Sequence, residues 1–215
     1  TLTGIANTIG QLIIEIGKNS LMVSLFLTMI VCIIVGTGIP TIPTYIITSA
    51  IAGPALFKLG VPLLVSHMFV FYFGILADLT PPVALACMAA APIAKEDGNK
   101  IANESMKIAA AGFVIPFMAV YAPEIMLQNP AGKSLDVFAL SVIYIFIKVS
   151  IAIIFWGMAV IGHYKVTLNW IERVFGVIAA GLFIISDPLL DKIGFVITVI
   201  TIFLIWYRIK KLASR

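Results

Sequence analysis

One acid, Asp78, interrupts the apolar stretch 61–94, two residues ahead of Thr80 in the run "ADLTPP" (77–82). An ionisable side chain at membrane depth is expensive and marks ion and substrate paths. A carboxylate there can ligate a cation, or carry a coupling proton if burial raises its pKa. Its plainer role is to cap the helix that starts near Thr80. A second interruption, "VGTGIPTIPTYI" (35–46), sets two glycines, two prolines and three threonines between greasy flanks at 21–35 and 45–59.

The two interruptions share a grammar. Gly36 and Gly38 permit positive φ and close approach, and Pro40 stops the preceding helix. Thr41 then reads as an N-cap with Pro43 in the first turn, and Thr80 as an N-cap followed by Pro81 and Pro82. Each break exposes a helix C-terminus rich in free carbonyls, which suit a cation, and a helix N-terminus rich in free N–H groups, which suit an anion. Gly36, Thr37, Gly38, Asp78 and Thr80 are the candidates for holding the cation. Gly38, Thr41, Thr44, Thr80 and Pro81 are the candidates for meeting an anionic substrate. Thr48 and Ser49 could line the same place, although Ser and Thr also satisfy helix carbonyls. The competing reading is two ordinary proline kinks, or an external loop between two spans.

What must position these residues is a bundle of apolar helices. The 215 residues are 61% hydrophobic and 11% charged, with a mean hydropathy of +1.13. A span needs about 20 apolar residues to cross a hydrocarbon core of ~30 Å. Runs of that kind recur along the chain, and the alternation of a transmembrane β-barrel is absent. The expected class is an all-α, multi-pass membrane protein. Residues 1–19 read as an amphipathic or arm helix, 20–35 and 41–58 as two helices of about 16–18 residues, short of a full span. Residues 61–94 read as a broken helix, 95–107 as a polar loop, 105–122 as a helix and 123–136 as a polar link. A full span follows at 137–162, then short helices at 170–186 and 193–207. The chain begins with Thr1 and no cleavable leader is evident, so we expect a piece of a longer polypeptide or a processed product. Cys32 and Cys87 lie in apolar runs without CxxC spacing and read as small buried hydrophobes.

Lysines and arginines give an orientation. With Arg208, Lys210, Lys211 and Arg215 cytoplasmic, Lys165, Arg173, Lys95, Lys100 and Lys107 also fall inside, while 123–136 and 187–192 fall outside. Both ends of the 20–58 pair then lie outside, and its turn dips toward the cytoplasm. The net charge of +4 reflects this topology and gives no reason to expect nucleic acid. His67 is expected to be a hydrogen-bonded packing residue, with a proton relay to Asp78 as its rival role. Lys148, mid-span, is expected to face a protein interface or a wet crevice without touching substrate. No HExxH or GxSxG supports an enzyme. No repeated filter residues support a channel.

Three blocks, "GTGIPTIPTYIITSAIAGPAL", "HMFVFYFGILADLTPPVALA" and "AGFVIPFMAVYAPEIML", in this order and spacing resemble the large membrane subunit of tripartite ATP-independent periplasmic (TRAP) transporters, most closely the fused permeases of the TAXI branch. The resemblance covers about residues 1–127 and implies the C-terminal portion of an elevator-type secondary transporter. Residues 20–127 would be the second repeat, with a re-entrant hairpin at 20–58, its broken partner helix at 61–94 and a helix at 105–122. Residues 128–215 would be a C-terminal helical extension. The implied function is ion-coupled import of an organic acid across a bacterial or archaeal inner membrane, not an enzymatic reaction. The coupling ion would be Na⁺, with H⁺ as the alternative, and no other cofactor is implied. The implied partners are a periplasmic substrate-binding protein, the first repeat and small-subunit helices of the permease, and the lipid bilayer. The alternative is an elevator-type symporter working without a binding protein. Close relatives outside the TAXI branch usually carry an apolar residue where Asp78 stands.

Overall fold

The structure is a computed structural model and describes residues 4–129, 131–185 and 187–213. These residues form two compact units, one ending at Met106 and the other beginning at Lys107. That division falls within a helix, whereas the motifs divide the chain at 127/128.

The first unit opens with α1 (Ile5–Asn19), whose apolar face recurs at helical spacing. It is followed by α2 (Leu21–Gly36) and α3 (Thr41–Lys58). Ser20 separates α1 from α2: its N–H closes α1 on the Ile16 carbonyl, and its hydroxyl accepts the Val23 N–H at the start of α2. Then come α4 (Leu63–Leu76), α5 (Leu85–Ala94) and α6 (Gly98–Ala109). At ~1.5 Å per residue the 16 residues of α2 reach about 24 Å, less than the hydrocarbon thickness. Helices α2, α3 and α4 pack on one another, and α1 packs against α2 and α3. Leu25, Cys32, Ala52, Leu56, Val65, Phe69 and Phe73 are buried between them. The Ser24 hydroxyl ties α2 to α1 by donating to the Ile13 carbonyl.

The polar stretch expected to be a loop at 95–107 is helical from Gly98 onward. The Asp97 carboxylate accepts the N–H groups of Asn99 and Lys100 at 2.9 and 3.1 Å, capping the first turn. Hydrophilicity there marks an exposed amphipathic helix, not a loop. The Lys100 ammonium 2.8 Å away, together with the Asp97 N–H, holds the Glu96 carboxyl below its usual range.

The second unit continues through a 3₁₀ turn at Ala110–Phe113 into α7 (Val114–Tyr121), with another at Pro123–Met126. Helix α8 (Leu135–Ile161) is a full-length span closed by Gly162 in the left-handed region, φ 74°. Residues 163–167 make a two-residue antiparallel pairing, β1 (His163–Tyr164) with β2 (Val166–Thr167). Helix α9 (Trp170–Leu182) starts on an Asn169–Glu172 capping box. Helix α10 (Pro188–Ala213) is much longer than the segment expected at 193–207, because the polar residues near Asp187 cap it instead of breaking it. The described residues thus contain three helices long and apolar enough to cross a membrane, Gly98–Tyr121, Leu135–Ile161 and Pro188–Lys210.

Small residues let α8 and α9 touch: a Cβ on Gly176 would sit 3.1 Å from the Phe155 carbonyl oxygen and 3.2 Å from the Ala159 Cβ. Val114, Met118, Val149, Ala152, Ala180 and Phe183 fill the core around this contact. Lys148 is 1% exposed, and its ammonium lies 2.8 Å from Asp191 Oδ1, while the Tyr144 hydroxyl donates to Asp191 Oδ2 at 2.8 Å. Lys148 therefore faces a protein interface, between α8 and α10. Removing one partner of a buried pair strands the other charge. Lys148→Met should cost about 3 kcal/mol of stability, and Lys148→Met with Asp191→Leu should recover most of it. Unfolding midpoints of the purified variants check this; equal losses in the single and double variants would contradict it.

Candidate ion and substrate site

The two interruptions meet in the first unit. A Cβ on Gly36, the last residue of α2, would lie 2.9 Å from the Ala77 Cβ, 2.9 Å from the Gly74 carbonyl oxygen and 3.0 Å from Thr44 Cγ2. At the turn between α2 and α3, a Cβ on Gly38 would face Val83 Cγ1 at 3.8 Å. The hairpin turn thus sits directly on the break between α4 and α5. Two helix C-termini converge here, α2 at Gly36 and α4 at Leu76, and each brings the negative end of its dipole.

Asp78 lies at this junction. Its N–H bonds the Ile75 carbonyl at 3.0 Å, and its carbonyl accepts the Ala86 N–H at 3.1 Å, bridging the break to the first turn of α5. One carboxylate oxygen, Oδ1, is buried without a hydrogen-bond partner among the described residues. Burying such an acceptor unpaired is costly, by about 1–3 kcal/mol or more when it is charged. Two negative dipole ends, with a carboxylate oxygen unpaired among the described residues one position beyond Ala77, give this part of the unit a negative character that suits a cation.

The capping grammar read from the sequence needs correction. Pro40, not Thr41, is the N-cap residue of α3. Thr80 caps nothing ahead of it: its hydroxyl turns back to donate to the Leu76 carbonyl at 2.8 Å, closing the end of α4. Helix α5 starts only at Leu85, after a cis Pro81–Pro82 bond and a left-handed Ala84 at φ 43°. Two successive prolines supply no N–H donors, residues 77–83 run as turns and a bend, and the helix begins only beyond them. The N-terminus available beside the hairpin turn is therefore that of α3.

The remaining candidates divide by depth. Gly38 and Pro81 are exposed at the rim, Thr37, Thr41 and Thr80 are half-buried, and Gly36 and Thr44 are buried beneath them. The Thr44 hydroxyl donates to the Ile39 carbonyl at 3.0 Å, and the Thr48 hydroxyl donates to the Thr44 carbonyl at 2.7 Å. Both hydroxyls stabilise the turn and the start of α3 with their protons and retain only acceptor capacity. Of the carbonyls at the two breaks, that of the candidate Gly36 already accepts the Ile39 N–H and that of Ala77 the Thr80 N–H, each keeping a second lone pair. His67 pairs with the Tyr45 hydroxyl at 3.0 Å, bracing α4 against α3 in the packing role.

Gly74 is a contributor that motif reading missed. A Cβ there would press on Thr44 Cγ2 at 3.1 Å, so its small size lets α3 approach α4 under the site. Its signal was a lone glycine in the otherwise bulky run "HMFVFYFGIL" (67–76).

The two turn glycines should behave differently. Gly36→Ala drives a methyl into backbone and should cut transport roughly tenfold or more by displacing the break. Gly38→Ala meets no crowding. Its cost comes from the left-handed φ of 78°, about 1–2 kcal/mol, with a smaller loss of transport. Uptake rates normalised to inserted protein compare them; a milder defect at Gly36 than at Gly38 would contradict the close approach.

A profile of the family described as "Tripartite ATP-independent periplasmic transporter, DctM component" matches residues 1–131. The matched stretch contains the hairpin, the broken helix and Asp78. No curated protein and no solved structure matches the chain. With residues 1–131 of its 215 matched, a stretch that holds both interrupted helices, the chain belongs to the DctM-component family, the large membrane component of TRAP transporters.

Proposed function

We propose that the chain is the C-terminal portion of a fused TAXI-branch permease that imports an organic acid by ion-coupled, elevator-type movement through the inner membrane. The observation that carries this reading is the contact of Gly36, at the end of α2, with Ala77, at the end of α4, one residue from Asp78, whose Oδ1 is buried without a hydrogen-bond partner among the described residues. Discontinuous helices meeting in this way are how secondary transporters build midplane sites.

Sodium is the proposed coupling ion. Asp78 supplies the charge, and carbonyls of Gly36, Thr37 and Gly38, with the Thr80 region, supply the neutral oxygens. The α3 N-terminus beyond Pro40, with Thr41 at its first position, faces the substrate carboxylate with its positive dipole end. Gly38 and Pro81 form the rim through which the acid enters from a periplasmic binding protein. Neutralising the site with a cation before the acid arrives removes a like-charge clash, which gives the coupling a physical cause.

Losing one charged ligand is worth about 1.5–3 kcal/mol, so Asp78→Asn should raise the sodium concentration for half-maximal uptake roughly tenfold to a hundredfold and leave the pH dependence unchanged. Reconstituted vesicles under separate sodium and proton gradients, with and without the binding protein, measure this. Proton-driven uptake without sodium would replace sodium with a proton on Asp78. Full uptake without a binding protein would favour an autonomous symporter.

A further inference from the structure

We propose that the second unit carries a binding site for one anionic phospholipid, in the groove between the C-terminal halves of α8 and α10. The groove encloses about 410 Å³, and its floor is Phe155 and Ile205, each 5% exposed. Ile202 and Trp206 wall it from α10 and are about half exposed, so it is continuous with the apolar outer surface of the unit. Acyl chains are the solvent that such a surface meets in a membrane.

The charge at one end identifies the headgroup. Lys165, in the turn between β1 and β2, lies on the groove beside Tyr164, with its ammonium 6.0 Å from that ring. Lys210 is one turn beyond Trp206, its ammonium 5.4 Å from the indole centroid. Neither lysine makes an ion pair among the described residues. Nearby Arg208, by contrast, is neutralised by Glu172 at 2.7 Å, and Arg173 is occupied by the Ala159 and Val160 carbonyls closing α8. Trp and Tyr beside lysine are the composition of a membrane interface, where the ring edges sit at headgroup level. Lys165 on the groove and Lys210 beside its Trp206 wall thus offer two ammoniums without an ion pair among the described residues to one phosphodiester whose chain lies in the slot. Basic pockets between membrane helices take acidic headgroups in this way. The site is independent of the ion and substrate reading, since no residue is shared.

The intact permease, purified in detergent and delipidated, is incubated with dioleoyl phosphatidylglycerol or dioleoyl phosphatidylcholine, and retained lipid is counted by native mass spectrometry. Wild type should retain the phosphatidylglycerol with a preference of about tenfold, from two lysines near the headgroup. Lys165→Gln with Lys210→Gln should abolish the preference, Lys165→Arg with Lys210→Arg should keep it, and Lys95→Gln with Lys100→Gln should leave it unchanged. Equal retention of the two lipids by wild type, or an undiminished preference in the double glutamine variant, would overturn the proposal. So would retention of neither, the outcome if other helices of the permease cover the groove.

Discussion

Backbone polar groups freed inside a membrane must find partners in protein, because hydrocarbon offers none. Everything around the candidate site follows from that constraint. Each break here is roofed by the other: the hairpin turn lies on the α4–α5 break, and glycines at 36 and 74 bring the helices close enough to do so. Threonines supply the missing local bonds, Thr37 to the Ile33 carbonyl, Thr44 to Ile39 and Thr80 to Leu76. Among the side chains of the described residues at these two breaks, Asp78 Oδ1 is buried without a hydrogen-bond partner. That open carboxylate oxygen, beside two helix C-termini, is the feature on which the proposed cation site rests.

The interrupted helices themselves were legible because Gly, Pro and Thr in an apolar chain have few other uses, and α2 and α3 lie within a residue of their expected bounds. What could not be read was the direction in which each threonine would use its hydroxyl. Thr80 before two prolines fits an N-cap pattern, but the same hydroxyl also reaches the carbonyl four residues back, and the prolines delay α5 to Leu85. Local pattern cannot separate two caps that share a residue. Gly74 escaped notice for a related reason: its meaning lies in Thr44, thirty residues away in sequence.

The second unit shows the same limit. Lys148 was conspicuous as an intramembrane cation, yet its partner Asp191 read as part of a polar link and not as the first turn of a long helix. Burial makes that pair consequential, since the ammonium is nearly inaccessible and the carboxylate is held by both Lys148 and Tyr144. The link at 95–107 misled in the opposite sense, because an amphipathic helix and a loop share a polar composition; the Asp97 cap and the packing of Ala102 against Ala84 and Cys87 make it a helix.

The central claim is that the two breaks form one site, and it is tested most directly by joining them. With Cys32 and Cys87 replaced by alanine, Gly38→Cys and Val83→Cys place two thiols where a Gly38 Cβ faces Val83 Cγ1 at 3.8 Å, within reach of a disulfide. Mild oxidation of the membrane-embedded permease, followed by mass spectrometry of non-reduced peptides, reads the result. The account predicts an intramolecular disulfide between the two segments that stops transport until it is reduced. Two thiols that remain free under oxidant, in protein that still transports, would show that the breaks lie apart and that there is no shared site.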